Sequence, residues 1–145
     1  MENNAMTNNK TMTFAGNINA PNINAANVNV MHPGHHMGQM VLPYQIKTLN
    51  DCAASCEFLC HHLMCSCDIE QRVCQIELLH DCAEICTVTA KFMARCSPFT
   101  KHLCLLCAYI CECCGNECCK FPDQESQMCG RMCLRCAQEC REFAN

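Results

Sequence analysis

Residues 104–119 read CLLCAYICECCGNECC, a stretch that places seven thiols within sixteen positions. Thiolate sulfur is a soft ligand that selects Cu(I), zinc or iron–sulfur clusters. At about 100° per residue on a helix, Cys104, Cys107, Cys111, Cys114 and Cys118 fall within an arc of about 80°. Their steps of three and four residues are those of a core-facing seam. Cys113 and Cys119 lie off that arc, as extra sites or surface thiols.

The same spacing recurs along the chain. Cys52, Cys56 and Cys60 step by four and continue the line of Leu49. Cys74, Cys82 and Cys86 step by eight and four, with Leu78 in the gap. Cys129, Cys133, Cys136 and Cys140 step by four, three and four. Free cysteine often serves as a small buried hydrophobe. That role suits two or three residues, but not this many, because a core also needs leucine-sized volume to pack. The sequence therefore predicts a bundle with sulfur along its axis.

Geometry narrows the metal. Side chains at i and i+4 on a helix have Cβ atoms about 5–6 Å apart. A metal–sulfur bond is roughly 2.3 Å, so one metal spans two thiolates of a single CxxxC turn. Cu(I) accepts two or three sulfurs, whereas structural zinc closes a four-ligand tetrahedron. The compact CxxCxxC loop of iron–sulfur proteins does not occur. Two other readings stay open: a zinc or mixed-metal thiolate buffer, and a thiol redox protein using one CxxC pair such as Cys133/Cys136. No Ser/His/Asp set or paired-carboxylate motif suggests hydrolytic chemistry, and the chain reads as a non-enzyme.

The elements that must position these thiols are four helices. They are predicted at roughly Tyr44 to Met64, Asp68 to Arg95, the Ser97-Pro98-Phe99 run to about Cys119, and Asp123 to Phe143. Asp68 with Gln71 resembles a capping box. Ser97 can cap, and Pro98 suits a first helical position. Short connections make neighbouring helices antiparallel. The expected fold is all-α, an antiparallel four-helix bundle with a cysteine-lined core.

The chain has 145 residues, 20 of them cysteine, and a formal charge of −4. No basic stripe points to nucleic acid, and no apolar run approaches the roughly 18 residues of a membrane span. The opening MENNAMTNNKTMTF lacks the basic and apolar regions of a secretory signal. A cytoplasmic protein with reduced thiols is expected, and there dense cysteine points to metal rather than disulfides. Residues 1–43 form a separate Asn-rich segment, read as a flexible tail or a docking arm for a partner; residues 44–145 form the metal-binding bundle. The tail carries the five-residue repeat NINAP, NINAA, NVNVM, and then MHPGHHMGQM, whose His32, His35 and His36 suit metal capture. Cys65 and Cys67, with His61, His62 and Met64, sit at one predicted bundle end and are candidate entry ligands. His80 and His102 are expected on helix surfaces.

The segments CAEIC, KFM, SPFTKHLCLLCAYICECCGNECCK and CGRMCLRCAQEC, between Cys82 and Cys140, resemble the cytosolic branch of the four-helix-bundle copper storage proteins. Helix one departs from the family pattern, with CxxxCxxxC where CxxC and CxxxC alternate. The resemblance implies many Cu(I) ions held inside the bundle and assembly as a homotetramer. It carries ligand roles onto Cys82, Cys86, Cys104, Cys107, Cys111, Cys114, Cys118, Cys129, Cys133, Cys136 and Cys140. Cys52, Cys56, Cys60 and Cys74 rest on helical phase alone. Protonated thiols pack acceptably, so the fold should form without metal, and loading should release protons.

Overall fold

The computed structural model describes residues 43–145. The Asn-rich repeat and the His/Met run at 31–40 lie outside the described residues. Four helices follow one another: α1 Tyr44–Met64, α2 Val73–Ala94, α3 Thr100–Cys118 and α4 Gln124–Ala144. Each packs on its sequence neighbours, and α1 closes the ring against α4. The connections are short, so the helices alternate in direction as an up-down bundle. Among the described residues there is no strand, and no helix is long and apolar enough to cross a membrane.

The helix ends show how local sequence sets these bounds. The Asp123 carboxylate accepts a hydrogen bond from the Ser126 backbone N–H at 2.9 Å and caps α4. At the end of α2, the Ser97 N–H bonds Phe92 O and the Cys96 N–H bonds Met93 O, both at 3.0 Å. That paired pattern is a Schellman motif. Its left-handed position, usually glycine, is held by Cys96 at φ 51°.

Two predicted starts are corrected. Asp68 and Gln71 do not form a capping box on α2. A short 3₁₀ turn, Ile69–Gln71, comes first and α2 begins at Val73. The Asp68 carboxylate is drawn instead to Arg72, whose Nε donates to it at 2.8 Å, and to the Ser66 hydroxyl. Pro98 is not the first residue of α3 but lies in the turn before Thr100. Ser97 Oγ accepts from the Phe99 N–H at 3.4 Å, while Thr100 Oγ1 donates back to Ser97 O at 2.7 Å.

The core is sulfur with an aliphatic frame. Leu49, Leu59, Leu63 and Leu79 are the largest fully buried apolar side chains. They supply volume that thiols cannot. Between them run the buried cysteines of all four helices.

Candidate metal centre

All twenty cysteines are free, and fourteen are buried: Cys52, Cys56, Cys60, Cys82, Cys86, Cys104, Cys107, Cys111, Cys114, Cys118, Cys129, Cys133, Cys136 and Cys140. Phase on α1, α3 and α4 places every seam thiol where the sequence expects it. On α2 one placement is corrected. Cys74 is exposed, and Gln75 and Leu79 hold the inward positions instead. Seven residues back from Cys82 returns almost to its face, whereas eight residues overshoots by about 80°. Gln75 was the residue that phase counted back from Cys82 and Cys86 would have found.

The buried sulfurs form a connected column. Three sets of four have all Sγ atoms within 4.8 Å of one another: Cys52/Cys82/Cys86/Cys111, Cys52/Cys56/Cys82/Cys133 and Cys86/Cys107/Cys111/Cys136. The sets share members, so an ion in one neighbours an ion in the next. Two copper–sulfur bonds end to end span about 4.6 Å, which matches that spacing. Cys111 lies 3.5 Å from both Cys82 and Cys86. Cys133 lies 3.6 Å from Cys56, 3.8 Å from Cys52 and 3.9 Å from Cys114. Every donor in these sets is a thiol, with no imidazole or carboxylate. An all-sulfur donor set suits a soft monovalent cation.

Proton affinity follows the same contacts. The Cys111 thiol is pushed well up by its hydrogen bonds with Cys107 and other thiols, and burial adds to this. Cys133 is pushed up in the same way, first by Cys114. Burial, then the negative charge of Glu57, lifts Cys60 to about 11. Cys82 is drawn the other way, first by hydrogen bonding with Cys111; the raised thiols keep protons that an incoming cation must displace.

A polar cluster closes the end of the column where α1 ends and α4 begins. Arg72, 8% exposed, donates from Nη1 to Asp123 at 2.7 Å, and to Gln75 Oε1 and Ser126 Oγ at 3.2 Å each. Its guanidinium stacks 4.3 Å from the Phe121 ring centroid. Gln75, fully buried, donates to Ser126 Oγ at 2.8 Å. At the opposite end Ile46, Leu49 and Met93 are buried. Sequence reasoning did not find the Arg72 cluster. Cys65 and Cys67 are exposed on the connection outside the Arg72 cluster, and no set of metal-ligating groups among the described residues includes them. His61, His62, Met64, His80 and His102 are exposed as well. Cys96 and Cys119 are exposed and Cys113 half-buried, away from the column as helical phase requires.

The family model described as copper storage protein matches residues 39–145. The chain belongs to the copper storage protein family. It is 41% identical over 84 residues to the cysteine-rich protein YhjQ of Bacillus subtilis, spanning 57% of this chain and 69% of that one. Copper storage protein 3 of Bacillus subtilis, solved without copper, superposes with a TM-score of 0.66 at 36% identity, covering 70% of this chain and 96% of that one. A cytosolic copper storage protein of Streptomyces lividans, solved with five coppers, gives a TM-score of 0.67 at 25% identity, covering 69% and 88%. The likeness spans the helical region and confirms the bundle as the family fold.

Proposed function

We propose that this chain stores several Cu(I) ions as thiolate complexes inside its bundle, and so buffers or detoxifies copper. The observation that carries this reading is the run of overlapping four-thiol sets, all buried and all sulfur. The fourteen buried cysteines are the proposed ligands; Cys65, Cys67 and Cys74 face solvent and are left out of the storage set. Membership of a copper storage family supports the choice of metal. So does the solved Cu(I)-bound form of copper storage protein 3, which is 38% identical to this chain.

The role is storage without catalysis, in the cytoplasm, where reducing conditions keep the thiols free. Assembly as a homotetramer is part of the proposal. Leu105, Leu106 and Tyr109 on α3 are about half exposed, and an apolar face of that kind is suited to burial against another copy. The His/Met run at 31–40 is proposed to capture copper ahead of the column.

Titration of the reduced, metal-free protein with Cu(I) against a competing chelator tests the reading. Many tight equivalents per chain are expected. Saturation at one or two ions rules storage out, and displacement of copper by equimolar zinc favours a zinc or mixed-metal buffer.

A further inference from the structure

The Arg72 cluster covers one axial end of the sulfur column, and Ile46, Leu49 and Met93 are buried at the other. A side opening exists. Between α1 and α4 lies a cleft of about 340 Å³, walled by Phe58 and Leu59 on one side and by Met128 and Met132 on the other. Cys129 contributes to its lining, and Glu125 stands at its edge. Cys129 is also the most accessible of the fourteen buried thiols, at 4% against at most 1% for the others. Its sulfur lies 3.9 Å from Cys56, a member of one four-thiol set.

We propose that this cleft is a lateral port for Cu(I), with the Met128 and Met132 thioethers as its transfer ligands and Cys129 as the first storage ligand. The inference rests on the storage reading above. Thioethers are soft, neutral donors, able to hold Cu(I) without a proton exchange. Met128 is exposed, Met132 is half-buried against the core, and Cys129 lies deeper still. The three form a graded path from solvent inward. Met128 and Met132 are four residues apart on α4, one turn, and so stand on one face. The carboxylate of Glu125 favours a cation at the mouth. At Cys129 the copper–thioether contact breaks and a copper–sulfur bond forms. The thiol S–H bond breaks and its proton passes to bulk solvent, while copper stays Cu(I). Exchange onto Cys56 then feeds the column.

The test is stopped-flow transfer of Cu(I) from a Cu(I)–glutathione donor to the reduced, metal-free full chain. Replacing both thioethers (M128L/M132L) keeps the apolar surface and removes the sulfurs. Filling the cleft from the α1 side with Ala54→Phe blocks the path and keeps every thiol. Each variant is expected to slow the first phase several-fold, whereas Met93→Leu, buried at the axial end away from Arg72, is expected to load like the unaltered protein. Under limiting maleimide, peptide mapping should show Cys129 modified before any other buried thiol. Unchanged rates in M128L/M132L, slowing confined to Met93→Leu, or earlier labelling of Cys104 or Cys140 would overturn the port. These outcomes concern rate and order. Failure of the storage reading appears instead in the final number of ions bound, which the thiols set.

Discussion

Gly115 of α3 and Gly130 of α4 meet backbone to backbone: a Cβ added to either would lie 3.0 Å from the other's carbonyl oxygen. Carbonyl oxygens cannot swing aside as side-chain tips do. The contact therefore fixes how closely α3 and α4 approach, and with it the spacing of Cys111, Cys114 and Cys118 from Cys129 and Cys133.

Gly115→Ala tests this directly. In an exposed helix interior the change would stabilise by about 1 kcal/mol. Here the new methyl also meets Leu134 Cγ at 2.8 Å. A net loss of about 1–3 kcal/mol is expected, the usual cost of overpacking. Urea denaturation of the metal-free protein measures it, and a raised midpoint would show that the helices simply move apart.

Cys96→Gly should act in the opposite sense. Cys96 occupies the left-handed position of a Schellman motif at φ 51°, where a Cβ costs roughly 1–2 kcal/mol and glycine costs none. Part of that gain is lost to glycine's greater freedom in the unfolded chain, so a net stabilisation of about 0.5–1 kcal/mol is expected. Because Cys96 is exposed and outside the column, copper capacity should not change. Thermal melting and a copper titration on the same sample check both halves.

Much of this architecture is legible in the sequence, because 3.6-residue periodicity is a local signal. It sets the bounds of α1 at Tyr44 and Met64, and the inward phase of the thiols on α1, α3 and α4. It misleads at Cys74, where only Cys82 and Cys86 define the α2 face and a third thiol was drawn onto it by type rather than angle. Nothing local announces the pairing of Arg72 with Asp123, 51 residues apart. The Schellman end at Cys96 is hidden because the glycine that normally marks it is missing. Met132 beside Cys129 reads as ordinary helix filler until α1 is in place to form the other wall of the cleft.

The Arg72 cluster should give the protein a distinct acid response. Burial opposes ionisation of Asp123, but hydrogen bonds from Ser126 and Arg72 outweigh it and hold the carboxyl down at about 2. A group whose folded pKa lies below its unfolded value stabilises the fold above the unfolded pKa, near 4. That contribution disappears as pH falls from about 4 through about 2. Asp123→Asn should therefore be less stable at pH 6 and flatter with pH over that interval. Arg72→Leu should cost about 2 kcal/mol, since Gln75 and Ser126 lose a buried partner. Arg72→Lys should not restore the loss, because an ammonium cannot reproduce the forked guanidinium contacts. Urea midpoints across pH decide the matter; parallel curves for D123N and the unaltered protein would refute it.

Cys111→Ser and Cys74→Ser separate the column from the surface. Cys111 belongs to two of the four-thiol sets, and serine has nearly its shape but a hard oxygen that Cu(I) binds poorly. The C111S variant should bind fewer ions and lose them faster to a chelator. Cys74 is exposed, and C74S should match the unaltered protein in both respects. Proton release supplies an independent readout. Contacts with Cys107 and other thiols, with burial, keep the Cys111 thiol protonated well above its ordinary range, so copper binding there displaces a proton. Lowering the pH should weaken apparent Cu(I) affinity in the unaltered protein, because protons compete for the same sulfurs. Protons released per copper, followed with an indicator dye in weak buffer, should be close to one for each thiol ionised. Equal capacity in C111S and C74S would place copper outside the column.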